Sequence, residues 1–181
     1  MLKRIILGSL VLLIGYAAGL AGHLYSYPQE EFTTFYDKIV KENGENQWAH
    51  RRQLNDHTFV EFLRPNNDTL YSYCMVDLAK GPVVVEAPAI DTYWCIQFIA
   101  ANSDTFHYMG SRIQGLQKPV RVILAPQGYS GGKQDLEIVP APTQRVWLFA
   151  RILTDGRTDL ARVTALQDQL KCTPLSQYKS L

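Results

Sequence analysis

Ile5 to Gly22 is a run of 18 residues without a charge, preceded by Lys3 and Arg4. At about 1.5 Å per residue, a helix of that length reaches ~27 Å, enough for the hydrocarbon core of a bilayer. In lipid only a helix or a closed barrel satisfies its own backbone groups, so a lone run of this kind is held to one conformation. The paired cations favour a cytoplasmic N-terminus and place the rest of the chain on the far side. A cleaved signal peptide is the rival reading. Gly19-Leu20-Ala21 is a small-x-small site, and Ile5 to Ile14 has the length of a signal's apolar core. Both readings export the remainder. The expected layout is an anchor over 1–22, a connector with an amphipathic helix over 23–49, and a domain over 50–181.

Composition narrows what that remainder does. Hydrophobic residues at 46% and charged residues at 19% fit a globular domain and exclude a disordered or collagen-like chain. Lys and Arg number 18 against 17 Asp and Glu, and removing the leader subtracts two cations and no acids. No basic excess is left to grip a phosphate backbone, so nucleic acid is excluded as a partner. Cys74, Cys95 and Cys172 are too few and scattered for a disulfide scaffold, although Cys74 and Cys95 fall in strand-like runs that could pair.

Beyond the leader, Tyr25-Ser26-Tyr27 before Pro28 reads as a membrane exit, and Phe32, Phe35, Tyr36 and Val40 have helical spacing. Residues 43–53 read as a polar loop. Seven short runs rich in Val, Ile and aromatics come next: 58–63, 69–78, 83–86, 92–100, 120–124, 136–139 and 145–153. No helical runs alternate with them. The spacing therefore predicts a mainly β chain, an antiparallel β-sandwich with flanking helices, preceded by one N-terminal transmembrane helix. In the last run Val146, Leu148, Ala150 and Ile152 share one face. Arg145, Trp147, Phe149 and Arg151 share the other, a half-polar face that faces solvent, a helix or a partner. Thr158 is placed to cap a helix reaching about Lys171, with Leu160, Val163, Leu166 and Leu170 as its apolar stripe.

Arg64-Pro65-Asn66-Asn67-Asp68-Thr69-Leu70-Tyr71-Ser72 resembles the signature of domain-of-unknown-function family 1254. Asp77-Leu78 with Gly81-Pro82, the G-x-R-x-x-G stretch at Gly110, Arg112 and Gly115, and Pro142-Thr143 with Val146-Trp147 and Arg151 resemble its next blocks. Ala165-Leu166-Gln167-Asp168 and Thr173-Pro174-Leu175-Ser176 are similar to its close. The resemblance runs from about His50 to Ser176 and implies a β-sandwich. In longer relatives that domain precedes a second, jelly-roll-like one, domain-of-unknown-function family 1214. By resemblance this chain is a short, membrane-anchored form, and a separately encoded family 1214-like protein is the implied partner. Ala100, Ser103 and Asp104 stand where the family pattern has an Asp and later Thr-Asn. A ligand site built on those groups in longer relatives is then absent here.

The ligand-binding candidates are Asn66, Asn67, Asp68, Tyr71 and Arg112. Four short polar side chains after a proline either close Asx turns on nearby backbone or present oxygens to a polar ligand. The spacing is not that of a calcium loop and no metal is expected. Tyr71 and Tyr73 are either core rings or, with Tyr93 and Gln97, the lining of a cleft. Arg112 between two glycines suits a carboxylate, whether a ligand's or that of Asp68 or Asp77. Gly128-Tyr129-Ser130-Gly131-Gly132 matches G-x-S-x-G, but no helix pattern comes after it, so a glycine-rich hairpin loop is expected rather than a nucleophile elbow. His23, His50, His57 and His107 have no zinc-ligand spacing, and no phosphate loop or dinucleotide fingerprint occurs, so no cofactor is expected. The leading expectation is a domain in the bacterial periplasm, single-pass in the inner membrane (or cleaved and released there), acting as an accessory or interaction module. The alternative is a small-molecule-binding or enzymatic domain using the Pro-Asn-Asn-Asp loop.

Overall fold

The computed structural model describes residues 2–56, 58, 66–131 and 136–179. Among the described residues, nine strands form two facing sheets. The larger has the order β1 (Trp48–His50), β2 (Thr69–Asp77), β8 (Arg145–Leu153), β4 (Trp94–Ala100) and β5 (Thr105–Gly110), every pair antiparallel. The smaller has the order β7 (Glu137–Ala141), β6 (Val120–Pro126), β3 (Val83–Ala87) and β9 (Lys171–Pro174). β3 is antiparallel to both neighbours, whereas β6 and β7 run parallel.

Alternation along each strand builds the sandwich. Leu70, Cys74 and Val76 of β2, Ile96 and Phe98 of β4, and Val146, Leu148 and Ile152 of β8 point inward. They meet Val83 and Val85 of β3, Val122 and Leu124 of β6, and Val139 of β7 in one core. The face of Trp94, Ile96 and Phe98 and that of Val146, Leu148, Ala150 and Ile152 are buried as their period-two pattern predicts. Six of the seven expected strand runs recur. The seventh, 58–63, lies outside the described residues save Thr58. β1, β5 and β9 go beyond the expected runs: each is short, and pairing with a longer neighbour holds it in place.

The connector and the amphipathic helix are one element. α1 (Leu2–Asn43) is a continuous helix of 42 residues with Pro28 inside it, so Tyr25 to Tyr27 is helical. Proline removes one helical hydrogen bond and crowds the preceding turn, at about 3 kcal/mol. Burial of Phe32, Tyr36 and Ile39 on the larger sheet, roughly 1.5–3 kcal/mol for each large apolar side chain, offsets it. The half-polar face of β8 is thus partly covered by this chain's own helix: Phe35 and Trp147 have ring centroids 4.8 Å apart, and Met75 is fully buried beneath α1. Arg145 reaches Asp37 at 3.4 Å and lies over the Tyr36 ring. The Leu2–Leu24 half of α1 is exposed, and the helix carries a window of mean hydropathy 2.1.

α3 (Leu160–Gln167) comes after a short 3-10 turn over Arg157–Asp159, so Thr158 does not cap it. Asp159 instead accepts from Arg162 and from the Asp155 amide. Val163 and Leu170 are buried, and Leu160 and Leu166 pack beside them. The Gly128–Gly131 stretch does not close a hairpin, because β6 and β7, the strands on either side of it, are parallel. Cys74 and Cys95 are not a pair. Cys74 faces the core from β2, Cys95 the outer surface from β4, and β8 lies between those strands. The Cys74 thiol instead meets that of Cys172, the inward residue of β9.

Candidate functional site

The outer face of the larger sheet carries the chemistry that the core cannot. Register sets two rows across it: Tyr71, Arg151, Cys95 and Gly110 in one, and Tyr73, Phe149, Gln97 and Tyr108 in the next. α1 covers the neighbouring Met75 and Trp147, and its Phe35 meets the edge of the second row at Tyr73, ring centroids 6.1 Å apart. Tyr73 stacks on Phe149 with ring centroids 5.5 Å apart and planes inclined by 4°. Tyr71 tilts against Phe149 at 5.3 Å. Both tyrosines are therefore rings of an aromatic layer, and the cleft that forms beside Gln97 is lined from the β5 side instead.

That cleft is a cavity of about 420 Å³ between β4, β5, the end of β8 and α2 (Ser111–Gln114). α2 is a single turn, and the two glycines of G-x-R-x-x-G place it. A Cβ at Gly110 would lie 2.7 Å from the Trp94 carbonyl oxygen, so only glycine lets β5 come this close to β4. Gly115 has φ +86°, a left-handed conformation that ends the turn at low cost only for glycine. The Gln114 side chain ties the turn back by accepting from the Gly110 amide at 2.7 Å. Arg112 is thereby projected over the cavity, its guanidinium carbon 5.3 Å from the centre of the Tyr93 ring. It pairs with neither Asp68 nor Asp77. The Asp77 carboxylate accepts from the Ala79 amide, and the Asp68 carbonyl accepts from the Thr154 amide.

Arg151 enters from the cavity floor. It donates to the Gln97 side-chain oxygen at 2.5 Å and lies against the Phe149 ring, and its Nε is buried without a partner. No carboxylate lines the cavity among the described residues. Burial pushes the Cys95 thiol up, and the Arg151 and Arg112 guanidiniums oppose that without reversing it. Two guanidiniums thus face a half-apolar cleft that no carboxylate among the described residues lines, and a guanidinium fork is chemically suited to an anion.

The Asn66–Asp68 corner lies elsewhere. The Asn66 amide donates to the Tyr71 hydroxyl at 3.1 Å, and its carbonyl accepts from Asn55. The corner's backbone thus fastens the entry to β2, while the side chains of Asn66, Asn67 and Asp68 are exposed. Asn67 borders a second cavity of about 660 Å³ with Asn55, Asp56 and Arg157. The structure therefore separates Arg112 from the Asn-Asn-Asp corner, and Tyr71 joins the corner as its anchor. Sequence reading named Tyr93 and Gln97 as cleft lining but missed Arg151 and Tyr108, and did not group any of them with Arg112. The one signal was Arg151 on the half-polar face of Arg145, Trp147 and Phe149, and only the β8–β4 register shows what it faces.

An N-terminal helix long and apolar enough to cross a membrane, joined to a β-sandwich, is compatible with a membrane anchor or a signal sequence. The chain belongs to the family described as Protein of unknown function (DUF1254), whose model matches residues 45–174. Among solved structures, it is similar to the VPA0106 protein from Vibrio parahaemolyticus, at 25% identity and a TM-score of 0.69. The match covers 86% of this chain and 37% of that one, so this chain spans well under half the length of that relative. A putative uncharacterized protein from Burkholderia cenocepacia matches at 13% identity and a TM-score of 0.47, over 90% of this chain and 43% of that one. No curated protein matches the chain.

Proposed function

We propose that this protein is a membrane-tethered accessory domain, held by α1 on the periplasmic side of a bacterial inner membrane, that docks with a second protein body of the family 1214 type. The observation that carries the reading is the Vibrio relative, in which a fold like this one occupies only 37% of a longer chain. Support comes also from α1 itself. Its exposed apolar half runs without a break into turns packed on the larger sheet, so a helix seated in a bilayer would hold the sandwich at the membrane surface. The test is purification from membranes in mild detergent, then crosslinking and mass spectrometry. The expected result is one specific companion carrying the second domain. Recovery of the chain alone, with protease shaving showing residues beyond Gly22 to be cytosolic, overturns both the partner and the compartment.

A further inference from the structure

We propose that the cavity under α2 is a binding site for a small organic carboxylate with an apolar body, clasped between Arg112 and Arg151. The proposal stands apart from the docking partner and concerns a different ligand. Charge comes first. Arg112 and Arg151 both reach the cavity, and neither meets a carboxylate among the described residues. Arg151 is half-buried and held at one end by its bond to Gln97, so its guanidinium is fixed in a partly desolvated wall. A planar guanidinium fork matches a carboxylate, and burial strengthens the match by excluding water.

The rim supplies the second half of the argument. Outside α1, the exposed large apolar side chains among the described residues are Tyr108, Ile113 and Leu116. Tyr108 and Ile113 line this cavity, and Leu116 lies just past the end of α2. Exposed apolar surface is thus gathered where the two cations converge, a pairing that selects a ligand with a charged head and a greasy body. The cavity's 420 Å³ falls in the range of small-molecule sites.

The experiment uses the full chain in dodecyl maltoside micelles, titrated calorimetrically with phenylacetate, its neutral isostere phenylacetamide, acetate and phenyl phosphate. Phenylacetate is expected to bind, with phenylacetamide and acetate each weaker by at least ~10-fold. Arg112→Gln and Arg151→Gln should each lose at least ~10-fold in phenylacetate affinity. Arg112 is exposed, so its variant should melt with the wild type and keeps the test valid should Arg151→Gln fold poorly. The proposal is overturned if phenylacetate does not bind, if the amide binds as well, or if Arg112→Gln binds like the wild type. Tighter binding of phenyl phosphate than of phenylacetate overturns the carboxylate assignment in favour of a phosphate.

Discussion

A methyl group at position 110 has nowhere to go, because the Trp94 carbonyl oxygen would stand 2.7 Å from it. Gly110→Ala must therefore push β5 off β4 or tilt α2, and is expected to cost about 1–3 kcal/mol by urea denaturation. Gly115→Ala meets open space but a φ of +86° with ψ −176°, a region essentially reserved for glycine, and should cost about 1–3 kcal/mol through backbone strain alone. His50 gives a pH dependence. Burial, then the nearby Arg52, pushes its imidazole down to about 4, and Asp168 only partly opposes this. In the unfolded chain it titrates near 6.5. Protonation therefore favours unfolding, and stability should fall as pH drops from about 6.5 towards 4, with no such change above 7. His50→Asn should flatten that part of the profile in thermal melts taken across the window.

At the level of elements, one buried amide ties the end of α3 to β2. Gln167 is fully buried. Its nitrogen donates to the Tyr71 carbonyl and the Ser72 hydroxyl at 3.0 Å and to the Arg51 carbonyl at 3.3 Å, and its oxygen accepts from Arg52. Gln167→Leu keeps the volume but strands those acceptors, and should cost roughly 1–3 kcal/mol. The neighbouring Asp168 pairs with Arg52 at the surface, where such bridges contribute at most about 1 kcal/mol, so Asp168→Asn should be nearly silent in the same denaturation series. The Ala165–Asp168 block that resembles the family's close is thus explained by one inward and one outward side chain. β5 and β9 show why elements escaped sequence reading. Lys171–Pro174 ends in proline and has no alternation of its own, and it is a strand because β3 offers it a free edge.

For the whole molecule, α1 has two jobs that a cut can separate. Deleting residues 1–22 removes the exposed apolar half and leaves Phe32, Tyr36 and Ile39 on the larger sheet. The shortened chain is expected in the soluble fraction with a melting temperature close to that of the full chain. Deleting through Asn43 strips the cover from Met75 and Trp147 and exposes a contiguous aromatic face. That variant should melt several degrees lower and self-associate, read by calorimetry and light scattering. Equal behaviour of the two truncations would show that the helix contributes nothing to the sandwich.

Local pattern was enough for much of this architecture. Alternation in 94–100 and 145–153 marked the buried faces, and an uncharged 18-residue run marked the apolar helix, because period and hydropathy are properties of neighbouring residues. The bond from the Asn66 amide to the Tyr71 hydroxyl is likewise local, five residues apart, but it joins backbone to a tyrosine rather than using the Asn and Asp side chains of an Asx turn. Which groups face one another was decided only by the tertiary structure. Strand order put Cys172 rather than Cys95 against Cys74, set Arg151 beside Gln97, and brought α2 over both. Arg151 and Gln97 lie 54 residues apart and the two thiols 98, and no short-range rule relates them. Their meeting is fixed by how two sheets bury one core, and the anion-receptive cleft exists only once that burial has happened.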